Sequence, residues 1–132
     1  MKKYVWEIVA LGIVVIVAVS GSTVAASDVN NGKRLWKKAK CNTCHYYNKK
    51  KKKVGPTVMG VTKKRSEAWL VKWLKDPQGT WEENDAETQE MRKWKKRAIK
   101  AKRTKMKIKK LSDEQVADLV AFLKANDKEY TP

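Results

Sequence analysis

The tightest constraint on this chain is the stretch Lys40-Cys41-Asn42-Thr43-Cys44-His45-Tyr46, which holds both cysteines and the only histidine of the 132 residues. Three chemistries compete for such a cluster: a dithiol switch, half of a zinc site, or covalent attachment of a cofactor. A CxxC redox pair belongs beside a βαβ pattern, and no strand-rich pattern surrounds this one. A structural zinc ion takes four Cys or His ligands, whereas the chain has three, too crowded to close a tetrahedron. CxxCH is instead the signature of c-type haem attachment. Two thiols three residues apart reach the two vinyl groups on one haem edge, and the next residue presents its imidazole to the iron.

The N-terminus bears on this choice. Lys2 and Lys3 precede an uncharged run from Ile8 to Val19, and small residues from Ser20 to Ala26 follow. That is the order of an export signal: basic region, apolar region, cleavage site. The apolar core is short for a span, which needs about 20 residues. Counted from Val5 through Ala26 it just reaches across a bilayer, with Tyr4 and Trp6 as interfacial anchors. Residues 1–26 are therefore read as a signal peptide or an uncleaved membrane anchor, and 27–132 as the functional domain. Either reading places that domain in the periplasm or an equivalent extracytoplasmic compartment, where covalent haem attachment takes place.

With His45 on one side of the iron, no second His is present to take the other. Met is the usual partner in electron transfer and raises the potential. Met1 lies in the leader. Met91 shares a helical face with Trp94, Ala98 and Ala101, which reads as packing. Met59, fourteen residues past His45, is expected beside the haem. Met106 lies in a polar loop just before a helix, where a hydrophobe has no other evident task, and is assigned as the sixth ligand.

These residues carry a resemblance. From about Ser27 to Asn126 the chain resembles a bacterial, single-haem, class I c-type cytochrome. Asp28 to His45 is similar to the family's opening helix ending in CxxCH, Gly55-Pro56-Thr57 through Gly60-Val61 to its GPxLxGV loop, and Thr104-Lys105-Met106 to the loop bearing its axial Met. Leu119-Val120-Ala121-Phe122-Leu123 is similar to its last helix, and the 61-residue separation of His45 and Met106 suits its compact members. One departure is that Lys107 stands where bacterial relatives usually have Pro after the Met. The resemblance implies one haem c per chain, and a Pro56 carbonyl that accepts the N–H of the His45 imidazole.

Helix signals agree. Ser27 or Asp28 caps a first helix with Gly32, Leu35, Trp36 and Ala39 on one face. Ser112 and Gln115 form a capping box for a last helix with the face Val116, Leu119, Val120 and Leu123. In the family these helices cross, with Gly32 permitting close approach and Trp36 meeting Leu119 or Phe122. A middle helix runs from Ser66 to Lys75 and stops at Asp76-Pro77. Its Trp69 and Trp73 lie four apart, and an indole N–H, assigned to Trp73, is placed to bond a haem propionate. From Trp81 the chain turns acidic and then basic, an order that suits the dipole of one continuous helix. No alternating β-branched run suggests a sheet, so the fold class is all-α, with helices wrapped around one haem.

Charge bears on function. Without the leader, 29 basic and 13 acidic side chains remain, a formal charge of +16. Lys49 to Lys53 are consecutive lysines, and twelve of the nineteen residues from Arg92 to Lys110 are Lys or Arg, with no Asp or Glu. The excess is larger than solubility requires. Export removes nucleic acid as a partner. The remaining expectation is a redox protein with an acidic patch, with anionic lipid headgroups as a further possible contact. The favoured function is an electron carrier between respiratory partners. The alternatives are a dedicated, anchored haem subunit of an oxidoreductase and a haem sensor or enzyme with an open sixth position. Peroxidase-like chemistry lacks its distal acid or base, because His45 is the sole histidine.

Overall fold

A computed structural model describes residues 26–128 and Tyr130, so the leader expected over residues 1–26 lies almost wholly outside the described residues. Eight helices and no strand occur among the described residues: α1 Val29–Lys38, α2 Cys41–Cys44, α3 Val61–Lys64, α4 Glu67–Lys75, α5 Pro77–Glu83, α6 Ala86–Arg92, α7 Lys96–Ile99 and α8 Asp113–Asp127. This is the all-α class that the sequence implies.

The first and last helices form the frame. Asp28 caps α1 by accepting from the Asn30 and Asn31 amides, and Gly32, Leu35 and Trp36 are its buried face. Ser112 and Gln115 close a full capping box on α8, which buries Val116, Leu119, Val120, Phe122 and Leu123. α1 and α8 pack directly on each other. Gly32 is the crossing point: a Cβ there would stand 2.0 Å from the Asp118 carbonyl oxygen and 2.8 Å from Phe122 Cβ. Trp36 meets Phe122 at 6.0 Å between ring centroids, and Tyr47 closes an aromatic triangle with both. Fully burying each aliphatic side chain here contributes about 1.5–3 kcal/mol.

Two carboxylates are buried in this frame, where sequence reasoning placed none. Asp118 accepts the Asp28 amide at 2.6 Å and Asn31 Nδ2 at 2.5 Å, which pins the start of α1. Asp127 accepts the Gly60 amide at 2.7 Å and both the amide and hydroxyl of Thr62 at 2.9 Å, tying α3 to the end of α8. Each carboxylate faces polar hydrogens that burial would otherwise leave unsatisfied, so neither is surplus charge.

α4 is capped by Ser66 and ends at Asp76, as its sequence signals indicate. Asp76 then caps α5, which begins with Pro77 in the first turn, where the absent N–H is harmless. The continuous helix expected from Trp81 onward does not form. Asn84 adopts a left-handed φ of 51° that ends α5, and Asp85 restarts the chain as the cap of α6. Lys95 is extended before α7. Good charge order at the ends of a helix therefore gave way to local caps and a left-handed Asn, which is among the residues that tolerate that conformation.

Candidate functional site

α1 ends at Ala39, and Lys40 takes a left-handed φ of 58° that turns the chain into α2. One helical turn, Cys41 to Cys44, then presents both thiols, and His45 follows in extended backbone. The cysteines are free and half-buried. Burial pushes the Cys41 thiol up, its own backbone hydrogen bond offsets this in part, and the neighbouring Cys44 adds to the rise.

The His45 imidazole is fixed from behind. Its Nδ1 lies 2.7 Å from the Pro56 carbonyl oxygen, which can only accept, so Nδ1 carries the proton and Nε2 is the ring nitrogen left with a lone pair. Burial lowers the His45 pKa and the Pro56 bond partly restores it, so the neutral, ligating form dominates at neutral pH. Gly55 makes this fit possible: a Cβ there would stand 2.5 Å from His45 Cε1. Trp36 packs beside the imidazole at 6.4 Å between centroids. Its Nε1 is the one buried side-chain nitrogen or oxygen without a partner among the described residues.

Met106 is half-buried in the irregular segment before α8 and packs against the main core, as Cys41 does. Its amide donates to Thr104 Oγ1 at 3.1 Å, and the Thr104 amide donates to Gln78 Oε1 at 3.2 Å, which fastens the loop to α5. Its sulfur receives the indole N–H of Trp73 at 3.0 Å. The N–H expected to bond a propionate is here directed at this sulfur. Trp69, its neighbour on the same face, donates to Thr88 Oγ1 at 2.9 Å. Met91 packs against the core as expected, although the helical face with Trp94, Ala98 and Ala101 that implied it is broken by the extended Lys95 between α6 and α7. Met59 is half-buried, with its amide on Thr57 Oγ1.

The His45–Pro56 contact that the resemblance implies is present, and Met106 is joined to Trp73 by a contact that sequence reasoning did not name. The anchoring roles of Thr104, Gln78 and Gly55 escaped sequence reasoning. Only the Gly-Pro dipeptide carried a signal, since a glycine before a rigid residue marks a close backbone approach.

The lysine run folds back over the attachment helix. Lys53 Nζ donates to the Asn42 carbonyl at 2.7 Å and Lys52 Nζ to the Trp94 carbonyl at 2.9 Å. Lys49 and Lys53 lie over the Tyr46 ring at 5.6 and 5.2 Å.

Two free thiols on one helical turn, a neutral imidazole with its lone-pair nitrogen defined, and a glycine that leaves room for that ring fit a covalently held haem. A helical body that presents this set belongs to the c-type haem proteins. Residues 29–127 match the family model described as Cytochrome c, and the chain belongs to the cytochrome c family, class I. It is a haem-based electron-transfer protein, in a family whose members are generally electron carriers rather than enzymes. No curated protein and no solved structure matches the chain.

Proposed function

We propose that this protein is an extracytoplasmic respiratory electron carrier. One haem c is attached to Cys41 and Cys44, ligated by His45 and Met106, and exchanges electrons with partners that present an acidic surface. The haem supplies a one-electron couple when bound. The chain's own residues hold His45 in one tautomer, seat Met106 against Trp73, and surround the attachment segment with cations.

The observation that carries this reading is the distribution of ion pairs. Among the described residues, the five ion pairs engage only Lys72, Lys75, Lys93 and Lys124. None includes Lys49 to Lys53, and of the run from Arg92 to Lys110 only Lys93 takes part. Most of the described carboxylates are engaged within the molecule, at caps, in ion pairs or in buried hydrogen bonds, and among the described residues no ion pair reaches the cations beside the CxxCH segment. Such a surface speeds encounter with an anionic partner while leaving dissociation fast, as a carrier requires. Anionic lipid headgroups satisfy the same charge, and among the described residues no helix is long and apolar enough to cross a membrane.

The test is the rate of electron exchange between the holoprotein and an acidic redox protein, measured as ionic strength rises. The rate is expected to fall steeply with salt. Changing Lys49, Lys50 and Lys51 to Gln is expected to lower it by roughly tenfold at low salt, with little change at about 1 M, where the Debye length is near 3 Å. A rate indifferent to both changes would overturn the docking role.

A further inference from the structure

Three tryptophans, Trp69, Trp73 and Trp81, form one cluster on α4 and α5. Trp73 stacks on Trp69 at 5.1 Å with 13° between planes and meets Trp81 at 6.3 Å and 49°. The outer two give their indole hydrogens to oxygen, Trp69 to Thr88 Oγ1 at 2.9 Å and Trp81 to the Ala101 carbonyl at 3.0 Å. Trp73, held between them and buried, gives its hydrogen to the Met106 sulfur. A thioether is a weak acceptor, and a buried indole ordinarily finds a better one. The two rings on either side fix the direction of this N–H, so its aim at sulfur is a property of the cluster rather than of a mobile side chain.

We propose that Trp73 is a positioning residue for Met106. Its N–H occupies one lone pair of Sδ, turns the other toward the iron, and biases the haem toward its reduced state. This rests on Met106 being the sixth ligand. A thioether has two lone pairs, so a fixed donor on one determines where the other points. The positive end of the N–H dipole beside a centre that gains positive charge on oxidation disfavours the oxidised state. Partners beyond the ligands tune metal sites in this way. It also explains how a loop with Lys107 after its Met can hold the sulfur: Thr104, Gln78 and Trp73 supply contacts in place of a proline ring.

The test uses the holoprotein and its Trp73→Phe variant, which keeps an aromatic ring and removes the N–H. The near-infrared Met-to-iron charge-transfer band is expected to persist in the variant. The ratio of reduced to oxidised protein at a fixed applied potential is expected to fall about two- to tenfold, the worth of one hydrogen bond. Added imidazole is expected to displace the sulfur at a correspondingly lower concentration. An unchanged ratio and unchanged imidazole affinity would overturn the proposal. Absence of the band in the wild-type protein would instead remove Met106 as ligand, a separate failure. If Trp73→Phe does not fold, the reduced wild-type protein gives the answer by NMR. A nuclear Overhauser effect between Trp73 Hε1 and the Met106 methyl supports the contact, and its absence overturns it.

Discussion

The α1–α8 crossing and the segment from Pro77 to Lys110 are held by different forces. The crossing is built of interdigitating apolar side chains around Gly32, with Asp118 binding two groups of the opposite segment. The later segment has three short helices, and much of its fastening consists of single side chains reaching carbonyls. Arg92 is the main fastener: it donates to Asn84 Oδ1 at 2.6 Å, the Ala98 carbonyl at 3.3 Å and the Ala101 carbonyl at 2.5 Å, and its guanidinium lies 4.2 Å over the Trp81 ring. A packed crossing fails as a whole, whereas a laced segment loosens locally. The Met106 loop belongs to the second kind, so the sulfur's hold is the adjustable side of the site and the attachment segment the rigid one.

The largest way to break this contrast is Gly32→Val. The added side chain meets backbone at the crossing, and we expect a loss of about 3 kcal/mol or more, read by denaturant unfolding as a single global transition. The next effect is local. Arg92→Ala removes three hydrogen bonds and a cation–π contact, and should cost about 1–3 kcal/mol. Hydrogen exchange in this variant is expected to accelerate from α6 to the Met106 loop while the amides of α1 and α8 stay protected. If protection falls equally everywhere, the two regions are one cooperative unit and the contrast fails.

The smallest effect concerns the link between α4 and this segment. Lys72 donates to Glu83 at 2.6 Å and Asp85 at 2.7 Å, and its ammonium holds the Asp85 carboxyl down at about 2, with Thr88 assisting. A carboxyl depressed in the folded state adds stability that is fully present above its ordinary value of 3.8 and disappears as pH falls toward 2. The pair is largely exposed, so the contribution is small and screened by salt. Unfolding of Lys72→Met and the wild type should therefore differ modestly at pH 6, converge as pH falls from about 4 toward 2, and nearly coincide in about 1 M salt.

The same contrast explains what was legible in the sequence. The faces of α1 and α8, the Ser112–Gln115 box and the Ser66 cap are local patterns, readable from spacing alone. CxxCH is local as well. Asp118 and Asp127 escaped because their partners lie 90 and 67 residues away along the chain, and an aspartate on a helix reads as surface. A signal did exist for Asp127, which continues the Val116, Val120, Leu123 face at helical spacing, where a solvated charge has no place. The break of the later segment into α5, α6 and α7 depends on Asn84 accepting a left-handed conformation and on the reach of Arg92. Charge order could not show either. Met106 emerged by elimination among four methionines, whereas the partner of its sulfur required the fold.

The most direct test is made on the intact holoprotein: its mass, and its visible and near-infrared spectra in both oxidation states with carbon monoxide added to the reduced form. We expect a mass exceeding the polypeptide by one haem, and a low-spin spectrum indifferent to carbon monoxide. The Met-to-iron band should be lost in Met106→Ala and kept in Met59→Ala and Met91→Ala. A high-spin spectrum that takes up carbon monoxide, or a band that survives Met106→Ala, would contradict the assignment of the sixth ligand and with it the proposed carrier.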